Sequence, residues 1–273
     1  MKKIVDQNGL VTYRFDLLDA FSNLTHFMTT RHGGVSNGAF SAMNPSLTSG
    51  DDLQNVARNR EILYRSIPIP SRRILAPHQI HKTNIRVVDE AFLQMDETSQ
   101  RNALEGIDAM VTQLPDVCIA ISTADCVPLL MYAPDQNVVA AVHAGWRGTV
   151  QKIAQRTVEF LSEQYHCSPS LMNVGIGPSI GPEDFEVGEE VVDAFRDSEA
   201  EMTQILHRTN KAHINLWEAN RLQLLSAGVP SEQIEVAGIS TYSDCDEFFS
   251  ARRLGIKCGR NMSAIMLKGK NHD

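Results

Sequence analysis

Along the 273-residue chain, short continuous apolar runs alternate with segments whose apolar residues have helical spacing. Short apolar runs bounded by turn residues predict buried strands, the clearest at 117–122, 127–132 and 138–142. Apolar positions with helical spacing predict one helix at 53–66 and another from Thr149 to about residue 164. Strands and helices that follow one another in this way favour an α/β fold.

Weaker patterns complete the prediction. Further short strands are expected at 10–15, 25–30, 74–76, 85–88, 108–112, 171–176, 234–239 and 262–267. Asn215, with Glu218 three residues later, predicts the start of a helix that runs to Ala227. No repeat, low-complexity segment or linker divides the chain. We therefore expect one domain over residues 1–273, with a mixed sheet, flanking helices and a site at strand ends.

Residues that can bind a metal follow two of the buried strands. The run at 117–122 leads to Cys126, and the run at 138–142 leads to His143. Upstream lie His78 and His81, and in an extended segment their side chains point to opposite faces, so that only one faces the site. A cysteine thiolate with two imidazoles suits zinc or copper.

The same residues also have simpler explanations. Three protein ligands with a fourth position open is the pattern of catalytic zinc, but a buried cysteine at a strand end explains Cys126 equally well. Asp125 can serve as a general base or orient a ligand histidine. Alternatively, it caps a turn or pairs with Arg147.

Two arginines stand in unusual places. Arg31 belongs to the glycine-rich segment 30–38, which is either a wide turn or a loop that approaches an anionic substrate. Arg60 lies on or beside the apolar stripe of the helix at 53–66. It either extends its guanidinium to solvent from the edge of the stripe or points into a pocket.

Composition limits the partners and the compartment. A net charge of −8 argues against nonspecific binding to nucleic acid or to acidic membranes. The five cysteines include no CxxC pair, which argues against a secreted disulfide framework. The first residues lack an apolar signal segment, and Asp125 interrupts the longest apolar stretch. We expect a soluble protein of the reducing cytoplasm.

Several catalytic signatures do not occur. The sequence has no GxxxxGK[ST] phosphate loop, GxSxG elbow or HExxH zinc motif, and it lacks the HxE and PCxxC residues of zinc nucleobase deaminases. The glycines from Gly175 to Gly181 have the wrong spacing for a dinucleotide fingerprint, and Pro178 removes an amide from that turn.

The motifs together resemble a known family. They include Gln79-Ile80-His81, Thr123 to Pro128 (TADCVP), His143 to Gly148 (HAGWRG) and Phe249 to Arg253 (FSARR). In this order they are similar to the multicopper polyphenol oxidase or laccase-domain family. That family is also described as a purine nucleoside phosphorylase family and as a peptidoglycan editing factor family. The resemblance covers nearly the whole chain.

This resemblance implies a zinc ion held by His81, Cys126 and His143, with copper as the alternative metal. It implies phosphorolysis of adenosine, inosine, guanosine and methylthioadenosine, and deamination of adenosine at the same site. We expect Asp125, Cys126 and His143 to be catalytic. The candidate residues for the phosphate and the nucleoside are Arg31, Asn44, Arg60 and Arg253. For the phosphate, Arg60 is the first choice because of its place beside the apolar stripe, and Arg31 is the second.

Other functions remain open at this point. The same His-Cys-His set suits a copper-dependent phenol oxidase. A cell-wall editing hydrolase would use Cys126 as a nucleophile activated by His143. The chain also departs from the family pattern, since Ser240 stands where a cysteine is common and Cys245 follows a few positions later. We expect small-molecule substrates and a monomer or homodimer.

Overall fold

The computed structural model describes residues 1–70, 73–208 and 210–269, and strands and helices alternate along them. The strands are β1 Lys2–Val5, β2 Val11–Arg14, β3 Leu24–Thr29, β4 Ile74–Leu75, β5 Ile85–Val87, β6 Ala109–Thr112, β7 Cys118–Thr123, β8 Val127–Ala133, β9 Val138–Ala144, β10 Asn173–Ile176, β11 Glu186–Val187, β12 Leu206–Arg208, β13 Ala212–Ile214, β14 Ile234–Val236 and β15 Asn261–Leu267. The helices are α1 Asp16–Asp19, α2 Leu53–Ser66, α3 Glu90–Gln94, α4 Glu97–Ala103, α5 Trp146–Val150, α6 Ile153–Tyr165, α7 Glu189–Asp197, α8 Met202–Ile205, α9 Leu216–Ser226 and α10 Ala251–Leu254.

The larger strands form two six-stranded sheets. Sheet 1 has the order β1-β2-β3-β15-β7-β4, and sheet 2 has the order β14-β10-β8-β9-β6-β5. Both are mixed, because β4 runs parallel to β7 in sheet 1 and two edge strands run parallel to their neighbours in sheet 2. The predicted mixed α/β fold with flanking helices is confirmed, with the strands divided between two large sheets. A third, small sheet joins β11, β13 and β12.

The two sheets pack face to face around a shared core. Ile119 and Ile121 of β7 lie in one apolar cluster with Leu130 and Tyr132 of β8. The alternate residues of these strands face outward, because side chains alternate along a strand. There α2 covers sheet 1, and α6 and α9 cover sheet 2. Burial on both faces explains why β7, β8 and β9 read as continuous apolar runs.

Two of the predicted helices begin directly after residues whose side chains cap them. α2 spans the predicted residues 53–66, and the side chain of Asp52 accepts a hydrogen bond from the Gln54 amide at 2.7 Å. α9 begins after Asn215, whose side chain accepts a hydrogen bond from the Glu218 amide at 3.0 Å. These contacts satisfy amides that have no partner within the helix.

The single helix predicted from Thr149 is instead two helices, α5 and α6. Between them Lys152 adopts a left-handed conformation with φ 63°. The side-chain amide of Gln223 on α9 donates to the Thr149 carbonyl at 2.7 Å, and the Lys152 amide donates to the same carbonyl at 2.9 Å. A tertiary contact therefore accompanies a break that the apolar periodicity does not reveal.

The sheets also explain how Cys126 reaches His143. The two apolar runs that precede these residues are β7 and β9, which lie in different sheets. The chain crosses from sheet 1 to sheet 2 at Cys126, immediately before β8. In the antiparallel pair β8 and β9, Val127 lies opposite Ala144. The start of β8 is thus beside the end of β9, where His143 lies. In the described part of the chain, no helix is long and apolar enough to cross a membrane.

Candidate metal centre

His81, Cys126 and His143 converge at this meeting of the two sheets. Their ligand atoms all lie within 4.8 Å of one another. The two imidazole rings meet edge to face, with centroids 4.8 Å apart. His143 is buried, Cys126 is half-buried and His81 is exposed, so the group opens to solvent on one side. One soft thiolate and two imidazoles can hold a zinc or copper ion here.

A short loop presents His81 to the other two ligands. The side chain of Gln79 exchanges two hydrogen bonds with the backbone of Ser122, at 2.8 and 2.9 Å, and so fixes the loop to β7. His81 itself has φ 63°, which lies in the left-handed region that few residues other than glycine adopt. His78 faces the surface, where its ring contacts the Glu105 carboxylate at 2.7 Å. The structure therefore brings His81 rather than His78 to the group.

The buried carboxylate of Asp108 connects both histidines. Its oxygens accept hydrogen bonds from the backbone amides of His81 at 2.9 Å and Lys82 at 2.8 Å. One of them also contacts Nδ1 of His143 at 2.8 Å. A proton on Nδ1 leaves Nε2 of His143 with the lone pair that binds a metal. Asp108 thus orients one ligand ring and holds the loop of another.

Electrostatics favour the carboxylate of Asp108 and the thiolate of Cys126. Burial raises the pKa of Asp108, but hydrogen bonds from His143, Lys82 and His81 outweigh it, so the pKa lies below its usual value. Burial likewise raises the pKa of Cys126, yet the neighbouring His143, together with His81, lowers it overall. The pKa of His143 is raised by Cys126 and Asp108 against the opposing effect of burial. The thiolate, which is the form that binds metal, is therefore favoured.

Gly145 is required by close packing against two of the ligands. A β-carbon at this position would lie 2.8 Å from Cδ2 of His81 and 3.1 Å from Sγ of Cys126. Any residue can adopt its φ of −69°, so the backbone conformation does not require glycine here. What excludes a larger residue is the lack of space beside His81 and Cys126. Gly145 is also the single residue between the end of β9 at Ala144 and the start of α5 at Trp146, so the strand passes almost directly into the helix.

Asp125 faces away from the metal ligands. One carboxylate oxygen accepts a hydrogen bond from the Thr241 hydroxyl at 2.8 Å, and the other accepts from the Arg252 amide at 2.6 Å. The carboxylate that orients a ligand histidine is therefore Asp108, and the contacts of Asp125 do not include Arg147. Asp125 instead anchors residues 240–253, a segment that we call the anchored arm. A catalytic function of Asp125 remains a prediction.

Two of the four predicted substrate residues are associated with the anchored arm. Arg31 donates to the carbonyls of Ser41 at 2.9 Å and Cys245 at 2.7 Å, and its guanidinium lies 5.1 Å from the Phe249 ring. Arg253 is exposed, and its guanidinium lies 5.1 Å from the ring of Tyr242. Both arginines retain N–H donors beyond those contacts.

The third predicted residue, Asn44, is fully buried and organises a loop. Its amide donates to the Ser49 hydroxyl at 2.8 Å and to Asp51 at 2.9 Å. Its carbonyl oxygen accepts from the Arg260 amide at 3.0 Å. These protein contacts occupy both ends of the side chain, and a contact with a nucleoside remains a prediction.

The fourth, Arg60, is not brought to the metal ligands. Its guanidinium donates to the carbonyls of Pro45 at 2.9 Å and Ile74 at 3.2 Å. Ile74 pairs with Cys118, which begins the six-residue strand β7, whereas Cys126 follows the end of that strand. The two ends of β7 are about 17 Å apart at the usual rise per residue. Arg60 therefore points into a pocket, as one of the two alternatives from the sequence predicted. Arg60 is, however, far from Cys126.

The residues that depart from the family pattern have other contacts. Ser240 accepts a hydrogen bond from the Gly181 amide at 3.0 Å, and its hydroxyl donates to the Asp184 carboxylate. Cys245 is a half-buried free thiol outside the metal-binding group. Its backbone carbonyl serves Arg31.

Sequence reasoning did not identify the function of Asp108. The available signal was a carboxylate at the start of a strand whose following residues are all buried. A charged group in such a place needs several hydrogen-bond partners. Their identity depends on the fold, because the partners come from residues 81–82 and 143.

The chain is similar in sequence to known enzymes over most of its length. A family described as multi-copper polyphenol oxidoreductase laccase matches residues 25–268. The chain is 44% identical over 256 residues to a purine nucleoside phosphorylase of Bacteroides thetaiotaomicron, covering 93% of this chain and 95% of the other. It is 38% identical over 258 residues to adenosine deaminase RL5 of an unknown prokaryotic organism, covering 93% and 98% of the two chains.

Solved structures share the whole fold. YlmD from Geobacillus stearothermophilus superposes with a TM-score of 0.88 at 33% identity, covering 98% of this chain and 99% of that one. The Bacillus licheniformis protein YfiH superposes with a TM-score of 0.86 at 29% identity, covering 97% and 99%. The arrangement of two sheets is thus common to these proteins.

Replacing Asp108 with asparagine tests its orienting function. We expect zinc affinity to fall by roughly 10- to 100-fold, because the amide no longer supplies the charge that holds a proton on Nδ1 of His143. Competition with a chromophoric chelator measures the affinity, and a thermal melt checks folding. Asp125→Asn is the matched comparison and should retain normal zinc affinity. Equal losses in the two variants would argue against a special function of Asp108.

Gly145→Ala tests the steric restriction at the ligands. The added methyl group must displace the side chain of His81 or Cys126, so we expect weaker zinc binding with little change in helix content. Chelator competition and circular dichroism measure the two effects. Gly148→Ala is the milder control, since its β-carbon would meet no atom closer than the Lys82 carbonyl at 3.3 Å. If Gly145→Ala bound zinc like the unaltered protein, the packing argument would fail.

Proposed function

The chain belongs to the family of multi-copper polyphenol oxidoreductase laccases, and from this membership we propose that it is a zinc-dependent purine nucleoside phosphorylase that also deaminates adenosine. The substrates would be adenosine, inosine, guanosine and methylthioadenosine. The supporting observation is the open His81–Cys126–His143 group in a chain that matches such enzymes over nearly its whole length. Relatives named for phosphorolysis and for deamination both support this reading.

The chain's own residues fit the proposed zinc ion. His81, Cys126 and His143 would hold it, and the exposed side of the group leaves room for a further ligand. When bound, zinc supplies a Lewis acid that lowers the pKa of water, as deamination requires. Asp108 keeps the proton of His143 on Nδ1, and Gly145 allows the ligands to approach one another.

Phosphorolysis also needs a cationic group that holds phosphate against the sugar. We favour Arg253, because it is exposed and belongs to the arm that Asp125 anchors beside Cys126. A guanidinium binds a phosphate through paired, charge-assisted hydrogen bonds. Arg31 is the second candidate, since Cys245 and Phe249 hold it against the same arm. The distance along β7 makes Arg60 the weakest of the three arginines.

Two alternatives have specific support. The same ligand set suits copper, as the family description suggests. The described residues contain no second group of metal ligands, which an oxidase would need for the further copper ions that reduce oxygen. The favoured Cys126 thiolate beside His143 would also suit a nucleophile in a cell-wall editing hydrolase. The measurements below separate these functions.

The remaining expectations concern the context of the enzyme. Its substrates are proposed to be small molecules, a nucleoside and phosphate. A single domain over residues 1–273, a monomer or homodimer, a cytoplasmic location and the lack of a nucleic-acid partner are predictions that accompany the proposed function.

Metal analysis separates zinc from copper. We expect one zinc per chain after purification without added metal. Cys126→Ala should lose both zinc and nucleoside cleavage, because it removes the thiolate ligand. Cys245→Ala is the control and should retain both, since Cys245 lies outside the metal-binding group. Stoichiometric copper with negligible zinc would favour the oxidase, and loss of metal from Cys245→Ala would contradict the ligand assignment.

Phosphate dependence separates a phosphorylase from a hydrolase. Inosine cleavage should require phosphate and release ribose 1-phosphate with hypoxanthine, whereas a hydrolase would release free ribose. Arg253→Ala should raise the phosphate concentration needed for half-maximal rate by about tenfold or more, with zinc content unchanged. The measurement is initial rate against phosphate concentration.

Arg196→Ala, an exposed arginine on α7, is the control and should leave the phosphate curve unaltered. Cleavage that is indifferent to phosphate would rule out phosphorolysis. An unaltered curve for Arg253→Ala would shift the assignment to Arg31.

A further inference from the structure

A cleft lies along the β4 edge of sheet 1, with Arg60 at the end far from the metal ligands and His78 at the end nearer to His81. It is bounded by α2, β4 and α4 and has a volume of about 530 Å³. Apolar side chains supply much of its lining, among them Leu47, Leu53, Leu75 and Leu104. Leu47 and Leu53 are 58% and 65% exposed and lie in the same lining, so the cleft presents apolar side chains to solvent.

Arg60 forms the inner wall of this cleft. The carbonyls of Pro45 and Ile74 orient its guanidinium, which retains further N–H donors. Among the residues that the structure describes, no carboxylate forms an ion pair with it. A largely buried cation without a counter-ion is unfavourable, and a bound anion would relieve that cost. Consistent with such burial, the pKa of Arg60 is lowered from its usual value.

Other charges around the cleft favour an anion. Arg101 on α4 is exposed at the rim. The acidic residues in the lining are Glu97 and Glu105, and the carboxylate of Glu105 is already in contact with the His78 ring at 2.7 Å. The inner wall therefore presents a cation, and one of the two nearby carboxylates has a partner within the protein.

We propose that this cleft binds a small amphipathic anion, with an aromatic or aliphatic body and one phosphate or carboxylate group. The volume lies within the range of small-molecule sites, which combine apolar walls with a few oriented polar groups. The body would lie against the leucines, and the anionic group would pair with Arg60 and Arg101. Because the Arg60 end of the cleft is separated from Cys126 by the length of β7, an anionic group bound to Arg60 is distinct from the substrate of the proposed reaction.

Phenyl phosphate and benzoate are suitable probes of the two anionic groups. Each is titrated into the zinc-loaded, full-length protein while amide signals are followed by ¹H–¹⁵N NMR. For at least one of them we expect saturable shifts at Thr48, Leu53 and Ile74, which lie on the cleft. Inorganic phosphate should bind at the cleft at least about tenfold more weakly than the aromatic probe, because it has no apolar body.

Three variants locate the interaction. Arg60→Met keeps much of the side-chain volume and should weaken binding by about tenfold or more. Arg101→Ser is an exposed substitution that should preserve the fold and weaken binding by about threefold. Arg65 is exposed on α2, the helix that carries Arg60, and lies outside the cleft. Arg65→Ser is therefore the matched control, and we expect it to bind the probes with unchanged affinity.

Two results would overturn the proposal. The first is that neither probe gives saturable shifts at the cleft, including the case in which all shifts lie around His81 and His143. The second is that Arg101→Ser and Arg65→Ser behave alike, which would show only general attraction to positive charge. If Arg60→Met fails to fold, the comparison of Arg101→Ser with Arg65→Ser decides. These experiments measure binding at the cleft and not nucleoside cleavage, so the two proposals are tested by separate measurements.

Discussion

The metal centre depends on the hydrogen bonds of one buried carboxylate. Asp108 lies just before β6 and receives the ring of His143 from β9 and the amides of the His81 loop. The two histidines come from segments far apart in sequence, and apolar packing alone would fix their separation poorly. A charged acceptor with several directed hydrogen bonds fixes it closely. The same bonds select the ring nitrogen that faces the metal.

The loop and turn that carry the ligands are held in uncommon backbone conformations. His81 has φ 63° and Asp125 has φ 88°, and each such residue costs on the order of 1–3 kcal/mol. The compensating bonds are visible, since Asp108 accepts the His81 amide and the Asp125 carbonyl accepts the Ile180 amide at 2.9 Å. These bends point the His81 and Cys126 side chains toward a common centre.

The sequence predicts local features well and their arrangement poorly. The helix at 53–66 follows from its own apolar stripe and cap, and the runs that became β7, β8 and β9 follow from burial on both faces. Their division between two sheets depends on contacts between distant segments, which no local pattern records. Arg60 shows the same limit. Its position beside an apolar stripe correctly marks an unusual arginine, but its target depends on which sheet α2 covers.

The adjacent residues Asp125 and Cys126 connect the metal centre to the anchored arm. The chain bends at Asp125, and there Cys126 turns to the two histidines while Asp125 turns to Thr241 and Arg252. The arm also carries Arg253 and the Cys245 carbonyl that binds Arg31. Asp125 and Cys126 therefore place the arm and the metal ligands on either side of the same short crossing between the two sheets. The thiol of this motif belongs to the metal-binding group, and the acid fixes the segment that carries the candidate phosphate-binding arginine Arg253.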